Sequence, residues 1–180
     1  MPPRPTHPPR RSALAALALA VAVLLAGGEI ASAAEVKVGS ALPKLAFRTL
    51  DGKPFSFAEH KGQIVLVDFW ATWCTPCHLQ TRILEPIHRD YKDKGVKFFS
   101  VDLGESADTV RKFLAKHPLP YPTLLDPQDS AAERLQVYAL PTLMVLDRNG
   151  RIAFLQNSLV DGPTLRRVLQ KAGAPAAAAR

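Results

Sequence analysis

Ile64-Val65-Leu66-Val67-Asp68-Phe69-Trp70, continuing as Ala71-Thr72-Trp73-Cys74-Thr75-Pro76-Cys77, decides how this chain is read. The first seven residues are nearly all apolar, as in a central strand covered on both faces. Two cysteines separated by two residues follow, where a helix is expected from about Thr75 to Lys92. They are the only two cysteines in the 180 residues. A bridge across two intervening residues closes too small a loop to stabilise much, so a purely structural role is the weaker reading. A helix N-terminus favours thiolate at the first sulfur. Such a pair can open and close as one disulfide, which points to redox work on the thiols of other proteins.

Working outward, residues 36 to 60 form a lead-in with Phe47, the turn Asp51-Gly52, Phe55 and Phe57. Asp-Gly between apolar stretches predicts a hairpin. Pro86 predicts a kink in the long helix, and Lys94-Gly95 its end. Val96 to Val101 reads as the next strand. Ser106 reads as an N-cap for a helix running to about Lys116, with Asp108 in its first turn. Pro118, Pro120 and Pro122 force an extended passage into Thr123-Leu124-Leu125. A short helix is expected over Asp129 to Leu135. Thr142 to Leu146 and Arg151 to Leu155 read as a hairpin around Asp147-Arg148-Asn149-Gly150. Pro163 to Lys171 closes as an amphipathic helix. Alternating strands and helices with a terminal hairpin and helix predict an α/β fold with a mixed central sheet.

This element order, with the cysteine pair at a strand-to-helix junction, resembles the thioredoxin fold over roughly Val38 to Lys171. Val67 to Cys77 is very similar to the thioredoxin active-site segment. Ala139-Leu140-Pro141-Thr142-Leu143 resembles the cis-proline segment. An exported context, the lead-in hairpin and Val101-Asp102-Leu103-Gly104-Glu105-Ser106 look more like the TlpA-like thiol-disulfide oxidoreductases, some of which serve cytochrome c maturation. The resemblance implies a thioredoxin-like three-layer sandwich with an N-terminal hairpin extension, and protein disulfides or dithiols as substrates. Exported reductases of this kind take electrons from a membrane protein, and such a donor is expected here.

Cys74 is the expected nucleophile, because unpaired helix N–H groups point at its sulfur. Cys77, one turn on, resolves the mixed disulfide. Pro76 fixes a dihedral and removes a donor near Cys74, so Thr75-Pro76 favours a reductant. Asp68 is the odd charge in an apolar strand and matches the buried aspartate of thioredoxins. Burial raises its pKa and suits it to accept the Cys77 proton. Pro141 is expected to follow Leu140 through a cis bond, exposing backbone that pairs with an extended substrate. Trp73 reads as docking surface with Thr75, Pro76 and Leu140, and Trp70 as core. One departure stands out. TlpA-like reductases often carry Glu and then Pro where this chain has Gln80 and Arg82, and glutamine cannot relay a proton. Glu105 resembles an acidic residue of the same group and reads equally as a solvent-exposed loop carboxylate.

Arg4, Arg10 and Arg11, the apolar stretch Ala13 to Ala26, and Ala31-Ser32-Ala33 are the three parts of a secretory signal over residues 1–33. An uncleaved anchor is the alternative, although the apolar run is short of the about 20 residues of a membrane span. The domain then covers 36–172, with a flexible tail at 173–180. Formal charge is +7 for the chain. Removing residues 1–33 leaves 20 basic and 15 acidic residues, or +5. The bases are scattered without interleaved aromatics, which argues against nucleic acid. The chain is read as an exported or periplasmic monomer without cofactor or metal. Two other readings stay open. Cys74-Thr75-Pro76-Cys77-His78 also fits a c-type haem attachment motif, and the two thiols with a histidine could handle copper or zinc.

Overall fold

The computed structural model describes Met1 and residues 36–176. The expected secretory signal and residues 177–180 lie outside the described residues. β1 (Phe47–Thr49) and β2 (Pro54–Phe55) form the anticipated hairpin, with Phe47 opposite Phe55. Gly52 turns it with φ +79°, a conformation that costs glycine nothing. A 3₁₀ turn over Phe57–His60, capped by Ser56, leads to β3 (Ile64–Trp70), every residue of which is buried. Then follow α1 (Thr75–Tyr91), β4 (Val96–Leu103), α2 (Ala107–Leu114), β5 (Thr123–Asp126), α3 (Ser130–Arg134), β6 (Thr142–Leu146), β7 (Ile152–Gln156) and α4 (Gly162–Lys171).

The seven strands make one mixed sheet in the order β2-β1-β5-β4-β3-β6-β7. β3, β4 and β5 are parallel, while β1, β6 and β7 join antiparallel. The crossovers β3-α1-β4 and β4-α2-β5 step in the same direction, so right-handed connections put both helices on one face. Alternation along the strands then sorts the core. Leu66, Phe98, Leu143 and Val145 meet Leu84 and Ile87 of α1 and Leu165 and Leu169 of α4. Val65, Val67, Val101 and Leu124 face the other way, against Phe47, Phe57, Ala131 and Leu135. The result is a thioredoxin-like α/β sandwich with helices on both sides of the sheet.

β4 lies on one side of β3 and β6 on the other, so the strand order reverses there. In α/β sheets the crevice at the carboxyl end of such a strand is where sites form. The antiparallel pairing of β6 sets Thr142 opposite Phe69. The segment entering β6 therefore lies beside the segment leaving β3, which brings residues 139–141 next to 71–77.

Some boundaries differ from expectation. β4 runs on to Leu103, because its parallel pairing with β5 continues to Leu103 opposite Asp126. α2 ends at Leu114 rather than near Lys116, because the turn into Pro118 starts at Ala115. α3 begins after Asp129, which is itself left-handed (φ 53°) and makes no side-chain cap. Asp126 does that work, its Oδ2 accepting the N–H groups of Ala131 and Ala132 at 2.9 and 2.8 Å. α1 continues through Pro86. Past α4, Gly173 and Ala174 still donate backbone bonds to Gln170 and Leu169, and Ala174 is buried.

Candidate active site

Cys74 is the N-cap of α1, and its Sγ accepts the N–H of Cys77 at 3.3 Å. A thiolate in this position would receive the same bond more strongly. Cys74 and Cys77 are joined as a disulfide with Cα atoms 5.3 Å apart. Their exposure is 3% and 0%, and only Cys74 borders the neighbouring groove. Of the two sulfurs, the one nearer open space therefore belongs to Cys74. Pro76 occupies the first turn of α1, where its missing N–H leaves no helix bond unmade. Thr75 and Pro76 are exposed, and Trp73 is 71% exposed. Trp70 instead packs into the cluster that holds both sulfurs, with Val110 and Leu125.

Asp68 is 1% exposed and its Oδ1 has no hydrogen-bond partner. It follows Ile64 and Leu66 in the alternation, so it lies on the face that α1 covers. Burial pushes its carboxyl well above the usual range. Tyr121 stands close enough that the Asp68 charge adds to burial in raising the phenol. The bond between Leu140 and Pro141 is cis, and Ala139 and Leu140 wall the groove opposite Thr75 and Pro76.

Three features escaped the sequence reading. Glu105 is not a free loop carboxylate. Its Oε2 accepts the Thr72 N–H at 2.6 Å and its Oε1 the Thr72 hydroxyl at 2.7 Å. Gln80 is fully buried and holds Val160 through both amide atoms, donating to its carbonyl at 3.1 Å and accepting its N–H at 2.8 Å. That clamp ties α1 to the segment before α4. Asn157 fixes the loop before Pro141, accepting the Tyr138 N–H at 3.1 Å and donating to Gln136 O at 3.2 Å. No local pattern marks any of these, since every partner lies at least 15 residues away along the chain.

His78, the last residue of the haem-like motif, is half-buried. Its Nε2 lies 3.2 Å from Thr72 O, and its ring stacks on Phe113 at 5.3 Å. Among the described residues no group of three or more His, Cys, Asp or Glu is placed to hold a metal ion, and no helix is long and apolar enough to cross a membrane.

A cysteine pair at the junction of a central strand and its helix, beside a cis-proline loop, is the arrangement of a dithiol–disulfide enzyme. The Redoxin family model matches residues 37–169, and the chain belongs to that family. It is 32% identical over 117 residues to the thiol-disulfide oxidoreductase ResA of Geobacillus thermodenitrificans (strain NG80-2), covering 65% of this chain and 67% of the relative. Against the ResA of Bacillus subtilis (strain 168) identity is 26% over 143 residues, covering 79% and 80%. Among solved structures, a Chlorobium tepidum protein assigned as thiol:disulfide interchange protein DsbE superposes with a TM-score of 0.71 at 26% identity, over 77% of this chain and 99% of that one. A secreted Mycobacterium tuberculosis disulfide oxidoreductase homologous to E. coli DsbE shares the fold at 20% identity, with a TM-score of 0.61 over 71% and 96%. The chain is a thiol-disulfide oxidoreductase acting through Cys74 and Cys77.

Proposed function

We propose that this oxidoreductase works as a reductase of protein disulfides outside the cytosol, with Cys74 attacking and Cys77 resolving. The observation that carries the assignment of roles is the asymmetry of the pair. Cys74 caps α1 and borders the groove, while Cys77 is sealed beneath it. In the reduced enzyme the Cys74 thiolate attacks a client disulfide. A mixed disulfide forms, and the client's other sulfur leaves as a thiolate. Cys77 then loses its proton and attacks Cys74 Sγ. This restores the enzyme disulfide and releases the second client thiol, two electrons having passed to the client.

Asp68 is the base that takes the Cys77 proton. Its burial, its place under α1 and its raised pKa support that role. The backbone around Leu140 and Pro141 lines up the client chain across the groove, with Trp73, Thr75 and Pro76 on the opposite wall. The basic and apolar N-terminus supports export, and exported proteins with paired cysteines, cytochrome c precursors among them, are the clients. A membrane dithiol donor returns the chain to its reduced form, and the enzyme acts as a monomer.

Alkylation of the reduced protein tests the roles. Cys74 is expected to react faster than Cys77, Cys74→Ser to abolish disulfide reduction, and Cys77→Ser to accumulate mixed disulfides with clients. Equal alkylation rates would contradict the assignment.

A further inference from the structure

We propose that the groove beside Cys74 selects client segments carrying an arginine or lysine close to the reacting cysteine. This rests on the exchange with protein clients proposed above and adds the chemistry of the client. The groove has a volume of about 670 Å³ and runs between the Cys74–Pro76 turn and the Ala139-Leu140 segment. Leu103, Ala132 and Val137 give it an apolar lining, suited to an extended chain of mixed character.

Its charge runs against that of the molecule. The chain carries a formal +7, yet the charged residues bordering the groove are Asp129 and Glu133, and no Lys, Arg or His borders it. Among the described residues neither carboxylate is paired with a cation. The neighbouring Arg134 points elsewhere, donating to Lys44 O at 2.9 Å. The other nearby carboxylate, Asp126, is spent on the first turn of α3. Burial and then the Asp126 charge push the Asp129 carboxyl up, so a cation arriving beside it relieves repulsion as well as gaining attraction.

The aromatic surface points the same way. Trp73 and Tyr138 are 71% and 82% exposed, the only exposed Phe, Trp or Tyr side chains among the described residues, and both border this groove. Large rings left in water at a reactive site are docking groups. Ring faces together with carboxylates form a receptor for a guanidinium, which stacks on the one and pairs with the other. The rim is also preorganised, because Asn157 holds the Tyr138 backbone.

The test uses the reduced full chain and a set of peptides that each contain one internal disulfide. The peptides differ only in having Arg, Gln or Glu two residues from a cysteine, and second-order exchange rates are read by stopped flow. The Arg peptide is expected to react about tenfold faster than the Glu peptide at low salt, the sum of a weak ion pair and a cation–π contact. Salt is expected to shrink that ratio. In the double variant Asp129→Asn, Glu133→Gln the ratio should fall to about twofold or less. Asn is chosen at 129 because it tolerates the left-handed backbone. Equal rates for Arg and Glu peptides, or a ratio that survives the double variant, would overturn the proposal. The same peptides as dithiols, offered to the oxidised chain, separate the two readings. An Arg preference seen only in that direction keeps the groove assignment and removes the reductase direction. No exchange in either direction removes both.

Discussion

Glu105 receives Thr72 twice, from its N–H at 2.6 Å and its hydroxyl at 2.7 Å, and so pins the turn that carries Trp73 and Cys74 to the end of β4. Next to it Asp102 is fully buried, and no donor reaches either of its oxygens. Burial first, and then the Glu105 carboxylate, hold the Asp102 carboxyl up to about 8. A proton on Asp102 is what allows two acidic side chains to sit side by side.

Glu105→Gln keeps the volume but replaces one acceptor with an amide donor facing Thr72. The expected cost is about 1–3 kcal/mol in urea unfolding, together with slower exchange at Cys74 as the turn loosens. Unchanged stability and rate would mean that the pair of bonds to Thr72 carries nothing.

Asp102 and Asp68 both have folded pKa values above their unfolded ones. Between the unfolded value and the folded one, the folded chain holds a proton that the unfolded chain has released. Stability therefore falls as pH rises through that window, by up to about 1.4 kcal/mol per pH unit for each group. For Asp102 the window runs from the ordinary carboxylate range to about 8. Asp102→Asn, which keeps the shape without titrating, is expected to flatten that decline and to be more stable than the parent near neutral pH. A denaturation series from acid to mildly alkaline pH checks this, and an unaltered slope would contradict it.

Asp68→Asn removes the proposed base while nearly keeping the volume, so the fold should survive and gain stability near neutral pH. Resolution of the mixed disulfide should slow, because Cys77 must lose its proton before it attacks. The first attack by Cys74 should change less, since its thiolate is held by the helix end. The effect is expected to fade as pH rises toward the thiol range. If stopped flow finds the resolving step unaltered at neutral pH, Asp68 is a structural residue.

Gln80 answers the departure from the TlpA-like pattern in structural terms. It serves Val160 with one donor and one acceptor. Gln80→Leu orphans both backbone groups and is expected to cost about 2–5 kcal/mol. Gln80→Glu keeps the acceptor but turns a carboxylate toward a carbonyl, so its destabilisation should grow with pH as the acid ionises. A Gln80→Glu chain as stable as the parent across neutral pH would show that the clamp does not need the amide.

Much of this was legible along the chain because it is local. The apolar run 64–70, the cysteine spacing, the Ser106 cap and the Asp51-Gly52 turn each carry their signal within a few residues. The cis bond at Pro141 came from a resemblance of segments, and the burial of Asp68 from its isolation among apolar neighbours. Gln80 and Glu105 stood out only as family comparisons, and their contacts, like those of Asn157, did not show, because the partners are set by register and helix packing across the sheet. A carboxylate after Gly104 looks like any loop acid until β3 and β4 are paired and Thr72 arrives beside it. Asp129 likewise reads only as the start of a short helix, and its place at the groove shows once Asp126 is seen to hold the first turn of α3.

The direction of electron flow is the central claim, and the reduction potential of the Cys74–Cys77 couple tests it most directly. Equilibration of the full chain against a glutathione or dithiothreitol series, read by alkylation of the free thiols, gives the value. A potential below about −200 mV, on the thioredoxin side of the known range, is expected of a reductase with proline between its cysteines. A potential near about −120 mV, that of a strong oxidant, would contradict it.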